Sequence, residues 1–389
     1  MQPLPIIDEK QGKEPDYLPE SWRHYLVFVP FVQDLVPPVF DALPHTLVKE
    51  GVYFYTDHED HFVPGHAGVA CERLYAYGED KNPSFPSLFS TYGFGCFKGL
   101  VGDFSYVLLQ DGQLLLAKDH LGIRPLFYYQ DEEKFIASTS VPLLKSLIKP
   151  ELNLDYIATE LKSFPQKVER TLFANIHRFP PAHYGFFDLQ AKKFTLQRYW
   201  ELEAESTEAF PTNEEKLEEL RRRLTEAVAC RAGEVTGCQL SGGMDSSAIA
   251  VLLARTLGTD KLHTYSFVLN DKTRSYAPFG VDEQHTQNSI IAYAGLRRDH
   301  HHPIEEFHYQ SLEEELERTE EAMGGYANSN CLWQDSMFKL AATHGVKVMM
   351  SGFPGDEAIS IAGTRYFYDT LAQGKFLSFW LQHPLKNSK

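Results

Sequence analysis

The chain is 389 residues long, 43% hydrophobic and 23% charged, the profile of an ordinary soluble globular protein with room for two domains that each bury a core. Its formal net charge of −16 argues against a broad phosphate-binding face, because affinity for nucleic acid is built from many Lys and Arg contacts. Five scattered cysteines, never spaced as CxxC, argue against a disulfide framework or a zinc cluster and point to a reducing cytoplasm. At the start, "MQPLPIIDEKQGKEPDY" has charges where a signal peptide needs an apolar core, and no apolar run reaches the roughly 18 residues of a membrane span. Neither export nor membrane insertion is expected.

From about residue 50 to 200 the pattern is short strands and tight turns. "YVLLQDGQLLLAKD" sets Asp111-Gly112 between two apolar runs, a hairpin signal because both turn residues tolerate positive φ. "LFYYQDEEKFIAST" repeats the device with a longer polar tip, and the unbroken apolarity of "LLL" and "LFYY" predicts strands covered on both faces. The acidic "ELEAESTEAFPT" of residues 201–212 reads as a linker, separating a first domain, 1–205, from a second, 213–389. Thr212 and Glu215 make a capping box, followed by a helix ending near Gly233 with Leu217, Leu220, Leu224 and Val228 on one face. Strand, loop and helix then alternate: "VTGCQL", a helix over 246–257, "LHTYSFVL", a helix through "EQHTQNSIIAYAG", an acidic helix near 311–323, and "VKVMMSG". That alternation predicts a parallel α/β sheet with crossover helices.

In such sheets ligands sit beyond the carboxyl ends of the strands, which is where "VTGCQLSGGMDSSAIAVLLARTLG", residues 235–258, places its turn. Gly242 and Gly243 allow a sharp turn and close backbone approach to a ligand. The first amides of the next helix, with the Ser241 and Ser246 hydroxyls, offer donors to phosphate oxygens. Asp245 beside a phosphate makes sense if Mg²⁺ intervenes, since a hard cation bridges the two oxygen types. The loop is not a Walker A loop, which needs Lys after its second glycine. In "VKVMMSGFPGDEAIS" a second strand runs into Ser351-Gly352, and Asp356 supplies another carboxylate at a strand end.

"SGGMDSS" resembles the pyrophosphate (PP) loop of the ATP pyrophosphatase superfamily, whose members split ATP into AMP and pyrophosphate. "SGFPGDE" resembles the "SGxGxDE" segment of asparagine synthetase-type enzymes. "GDFSYVLLQDGQLLLAKDHLGIRPLFYY" and "TLFANIHRFPPAHYGFFD…RYWEL" resemble the glutaminase domain of asparagine synthetases and the segment leading out of it. The resemblance covers roughly residues 100–375 and implies an α/β plus α+β architecture: an N-terminal nucleophile (Ntn) hydrolase-like α/β/β/α sandwich, then a parallel-sheet α/β ATP pyrophosphatase domain. It implies ATP held by Leu240, Ser241, Gly242, Gly243, Asp245, Ser246, Val268, Leu269, Ser351 and Gly352, with Asp245 and Asp356 as the Mg²⁺ ligands. As plain chemistry, Leu240, Val268 and Leu269 are core strand residues, and Asp103, Asp119 and Arg124 are turn and core anchors.

Three departures shape the expected activity. Glutamine-dependent relatives need Cys directly after the initiator Met, its α-amine serving as base, whereas here residue 2 is Gln2; no glutaminase is expected, and the first domain becomes a scaffold. Where asparagine synthetases carry Glu and β-lactam-forming relatives Tyr, this chain has Phe353, which neither accepts a proton nor orients an amine. The 32 residues after Glu357 are fewer than the family's helical extension, and Lys375, Lys386 and Lys389 lie too early to be its catalytic Lys, so a fragment or half of a split enzyme is expected.

The reading is an ATP-dependent ligase that adenylates a small-molecule or peptide carboxylate and forms an amide. "GDEAISIAGTRYFYDTLAQGKFLSF" also resembles asparagine synthase-related proteins, including lasso peptide cyclases. A cyclase of that or β-lactam synthetase type, and a noncatalytic nucleotide-binding or assembly protein, stand as alternatives. A partner chain or further segment would complete the site, and a homodimer is among the open assemblies. "RRDHHHPI", with His300, His301 and His302, is read as a polar start to a strand rather than a metal tract, having no Cys or spaced carboxylate partners.

Overall fold

The computed structural model describes residues 24–359 except 33–34, 36, 82, 163–166, 203–211, 271–281, 306–312, 314–315, 317–318, 320–323 and 326–328. The chain divides into two compact units, Met1–Thr207 with Tyr309–Leu332, and Glu208–His308 with Trp333–Lys389.

The strands of the first unit are β1 (Tyr25–Pro30), β2 (His45–Lys49), β3 (Val52–Thr56), β4 (Ala67–Tyr77), β5 (Leu100–Gln110) and β6 (Gln113–Lys118). They continue with β7 (Phe127–Gln130), β8 (Lys134–Ser138), β9 (His177–Arg178), β10 (His183–Asp188) and β11 (Lys193–Arg198). They form two antiparallel sheets, ordered β2-β3-β1-β8-β7-β9 and β11-β10-β6-β5-β4. Side chains alternate across a strand, and here both faces find apolar partners. In β1, Tyr25, Val27 and Val29 point between the sheets toward Val107, Leu114, Leu116 and Phe187, while Leu26 and Phe28 point outward. The outward layer is closed by α3 (Val141–Lys145), which α4 (Leu154–Leu161) follows along the chain. On the other sheet Phe104, Tyr106, Leu115 and Ala117 face α1 (Phe85–Tyr92) and α2 (Cys96–Gly99). The layers are therefore α/β/β/α, the sandwich expected, and the unbroken apolar runs follow from double coverage.

Two contacts tie the sheets to each other: Phe135 stacks on Phe187 at 4.1 Å between ring centroids, and the Tyr25 hydroxyl donates to Ser105 Oγ at 3.0 Å. The predicted hairpin at Asp111-Gly112 is present, with φ of 51° and 73°, the doubly positive geometry that matches strand twist. The segment grouped with this unit from later in the chain is anchored by the Leu172 amide, which donates to Gly324 O at 3.0 Å.

The second unit carries α5 (Asn213–Arg231), β12 (Thr236–Gln239), α6 (Met244–Leu257), β13 (Leu262–Phe267), α7 (Gln284–Ala294), β14 (His301–Ile304), α8 (Ser329–Thr343), β15 (Val348–Met350) and the short α9 (Gly355–Ala358). Among the described residues its four strands are parallel, in the order β14-β13-β12-β15. The capping box is present: Glu215 N donates to Thr212 Oγ1 at 3.2 Å and Thr212 N to Glu215 Oε2 at 3.1 Å. The apolar face expected on α5 is buried only at its end, where Val228 joins the core; Leu217 and Leu220 are exposed, because α5 packs on α6 through its last turns. α6 begins two residues before the expected 246. The acidic helix expected near 311–323 lies largely outside the described residues.

The turn after β6 depends on one carboxylate. Buried Asp119 accepts from the amides of Phe104 (3.2 Å), Leu121 (3.1 Å), Ile123 (2.9 Å) and Arg124 (2.9 Å), which makes it the anchor that plain chemistry suggested. An Asp119→Ala variant leaves buried donors unmatched and is expected to lower the stability of this unit by about 3 kcal/mol. Urea unfolding followed by tryptophan fluorescence measures this, and a loss below about 1 kcal/mol would refute the anchoring role.

Candidate active site

The strand order creates a crevice. From β12 the chain moves through α6 to β13 and through α7 to β14, always in one direction, then returns through α8 to β15 on the far side of β12. Right-handed crossovers put helices of opposite travel on opposite faces. Val228, Ala250, Leu253 and Ile291 accordingly form one core with Cys238 and Leu262, while Met337 and Ala341 of α8 form another with Tyr265 and Ile304. The helices part between β12 and β15, so the loops leaving those two strands line the switch point where such sheets bind ligands.

The loop after β12 is held from within. Leu240 N donates to Tyr265 O at 2.8 Å, and the Ser266 hydroxyl donates to Leu240 O at 2.6 Å, which fixes the loop's first residue to β13. Gly242 has φ of +92°, where a side chain is strained, and a Cβ there would stand 3.2 Å from Thr286 Cβ. Ser241 Oγ and Ser246 Oγ are 2.9 Å apart; Ser241 N donates to Ser246 Oγ at 3.2 Å and Gly243 N to Ser241 Oγ at 3.2 Å. Ser246 is buried, so its hydroxyl closes the loop from inside, whereas Ser241 is exposed. Gly243 is the N-cap of α6 and brings no capping side chain to the first-turn amides, an arrangement suited to an external anion.

The loop after β15 lies directly on this turn. A Cβ on Gly352 would fall 2.9 Å from Asp245 Cβ and closer still to Ser246 N; one on Gly355 would lie 2.7 Å from Asp245 Oδ1. Only bare backbone fits. The structure thus brings Asp245 against the residue preceding Asp356, joining two segments more than a hundred positions apart in sequence. Asp356 is exposed at the start of α9, Phe353 is 79% exposed, and the Phe353 amide donates to Ser351 Oγ at 3.3 Å.

The residues expected on the adenine side are more deeply placed. Leu240 and Val268 are buried, and the Val268 amide donates to Ile304 O at 3.0 Å; Leu269 is half-buried. One residue escaped notice in the sequence. Gln287 of α7 is 1% exposed, and its Nε2 donates at 3.4 Å to both Ser241 O and Phe267 O, bracing the loop after β12 against the end of β13. The available signal was helical spacing: Gln287 shares a face with buried Ile291, four residues on. Gln2, Lys375, Lys386 and Lys389 lie outside the described residues. The two cysteines of residues 1–205, Cys71 and Cys96, are both buried, and burial pushes the Cys96 thiol up to about 12.

Comparison with known proteins bears on the family of each unit. A family model for asparagine synthase matches residues 219–388, and one for a glutamine amidotransferase domain matches residues 86–200. A putative asparagine synthetase (glutamine-hydrolyzing) 2 of Methanocaldococcus jannaschii is 26% identical over 285 residues, covering 69% of this chain and 51% of the relative. Asparagine synthetase (glutamine-hydrolyzing) 3 of Bacillus subtilis is 30% identical over 192 residues, covering 46% of this chain and 30% of the relative. Amidase chry2 of Gibberella zeae is 29% identical over 178 residues, covering 44% and 26%. The matched segments amount to about half or less of these relatives' lengths. Residues 219–388 thus belong to the asparagine synthase family and residues 86–200 to the glutamine amidotransferase domain family, in the same order as the two folded units.

Proposed function

We propose that this chain is an ATP-dependent, AMP-forming carbon–nitrogen ligase of the cytoplasm that activates a carboxylate and forms an amide, with no glutaminase of its own. The observation that carries the proposal is the contact of Gly352 and Gly355 with Asp245, which places the Asp356 segment beside the phosphate loop. In this reading a substrate carboxylate oxygen attacks the α-phosphorus of ATP, the bond to the β-phosphate oxygen breaks, and pyrophosphate leaves. An amine nitrogen then attacks the acyl carbon of the adenylate, AMP departs, and the amine's proton passes to solvent or a base. The α6 first-turn amides and exposed Ser241 hold the pyrophosphate oxygens, acting through fixed dipoles that need no reorganisation. Gln287 and Ser246 keep that loop in shape.

An all-oxygen donor pair beside a phosphate cradle suits Mg²⁺. Asp245 and Asp356 would hold it, and the ion would supply neutralisation of phosphate charge. The buried state of Cys71 and Cys96 supports the lack of glutaminase, since an attacking thiol needs exposure and a lowered pKa. A second reading concerns the amine. The exposed phenyl ring of Phe353 on the loop over Asp245 favours an organic or peptide-borne amine over ammonia, as in a peptide cyclase.

Incubation of the protein, together with any downstream segment, with Mg²⁺-ATP and candidate carboxylates is expected to release AMP and pyrophosphate. Asp245→Ala should lower the rate on the order of a hundredfold or more. Absence of both products with every carboxylate would leave a nucleotide-binding protein without ligase chemistry. Gly355→Ala, which changes no polar group, is expected to cost on the order of a hundredfold by displacing the segment about 1 Å; an unchanged rate would count against the assembled site. A glutaminase assay should detect no glutamate above blank, and release abolished by Cys71→Ala or Cys96→Ala would overturn the scaffold role of the first unit.

A further inference from the structure

The opposite end of the second unit's sheet carries a cluster that the ligase reading does not use. His263 and Tyr265 are two residues apart on β13 and so share a face, and β14 pairs alongside with Tyr265 opposite His302. His344 follows directly on the end of α8, which packs on the same face through Met337 and Ala341. His263 Nδ1 lies 2.9 Å from His302 Nε2, and the His302 and His344 rings stack at 4.0 Å. The Tyr265 hydroxyl is 2.9 Å from His344 Nδ1.

We propose that His263, His302 and His344 form a binding site for one divalent transition-metal ion, with Tyr265 as the positioning residue that fixes the His344 ring. The three half-buried imidazoles offer ligand nitrogens within 4.8 Å of one another. Nitrogens on one tetrahedral Zn²⁺ at about 2.0–2.1 Å stand roughly 3.3 Å apart. The His263–His302 pair must open by a few tenths of an ångström, and the other pairs must close by at most about 1.5 Å, within reach of ring rotations. The cation takes the place of the proton that those two rings share. His344 uses Nδ1 toward Tyr265, which leaves Nε2 for the metal, the usual division of labour in a ligating His.

The donor chemistry sets the class of ion. Three imidazoles without carboxylate or thiolate suit Zn²⁺, Ni²⁺ or Cu²⁺, whereas Mg²⁺ and Ca²⁺ require oxygen. Protons compete little here: burial, and then the neighbouring His344, His263, His301 and His300, push His302 down to about 4, and burial lowers His263 as well. The cluster sits at the amino ends of β13 and β14, while the phosphate loop follows the carboxyl end of β12. The two are therefore separate sites on one parallel sheet, and occupancy here would pin β13, β14 and the end of α8 together.

The full chain, stripped with EDTA, should bind one Zn²⁺ per chain in competition with a chromophoric indicator, and Co²⁺ should give the visible bands of a low-coordinate nitrogen site. His302→Gln and His344→Gln are each expected to weaken Zn²⁺ at least about tenfold, and Tyr265→Phe by about ten- to a hundredfold. His58→Gln, an exposed histidine of the first unit, should change nothing. Zn²⁺ should raise the melting temperature of the wild type and not that of His344→Gln. No stoichiometric Zn²⁺ on the wild type would overturn the proposal without any variant having to fold. So would unchanged affinity in both cluster variants with native circular dichroism.

Discussion

Two missing methylene positions govern the second unit. Because Gly352 and Gly355 carry no side chain, the loop leaving β15 can close onto Asp245 and the first turn of α6. Any other residue would meet backbone or a short carboxylate side chain, neither of which yields as the end of a long flexible chain would. The rest of the unit is arranged so that this contact can occur. β12 and β15 must be neighbours, α6 and α8 must lie on opposite faces, and Gly242 must turn with positive φ beneath α7. The phosphate site proposed here needs little side-chain chemistry. Bare amides and a fixed helix terminus would do the work that a cluster of lysines does elsewhere.

The first unit has the layers of an amidotransferase-type fold, and Cys71 and Cys96 are both buried in it. Aromatic and aliphatic side chains fill the space between its two sheets and cover much of their outer faces, and buried Asp119 fixes the turn after β6. Cys71 and Cys96 are part of that packing. A thiol raised by burial is a small apolar group, and the same burial that stabilises the sandwich removes nucleophilic character. Relationship to glutamine-using enzymes therefore describes the architecture of this unit, and the chemistry proposed for the chain rests on the second.

The two ends of the parallel sheet differ in their atoms. At the carboxyl ends of the strands stand oxygen donors and amides, the set proposed to take phosphate and a hard cation. At the amino ends stand imidazoles, stacked and hydrogen-bonded to one another and to Tyr265, fitted to a softer ion. One sheet can keep both sets apart because strand direction separates them by the length of the strands.

Local pattern in the sequence determined a good deal. The hairpin at Asp111-Gly112, the capping box at Thr212, the alternation of strand and helix after residue 230 and the glycine turn before α6 all depend on neighbours within a few residues, so they can be read one stretch at a time. Asp245 and Asp356 could be named for the same reason, each standing just beyond its own strand. Tertiary structure alone decided what those stretches meet. Gln287 became a brace for the phosphate loop only when α7 was laid across it, and Leu217 and Leu220 stayed exposed although their spacing marks an apolar face. The histidine run gained partners from β13 and the end of α8, with His263 and His302 paired across 39 positions. Spacing along a chain encodes which side of an element a residue takes, and it carries no record of which distant element will be packed against that side.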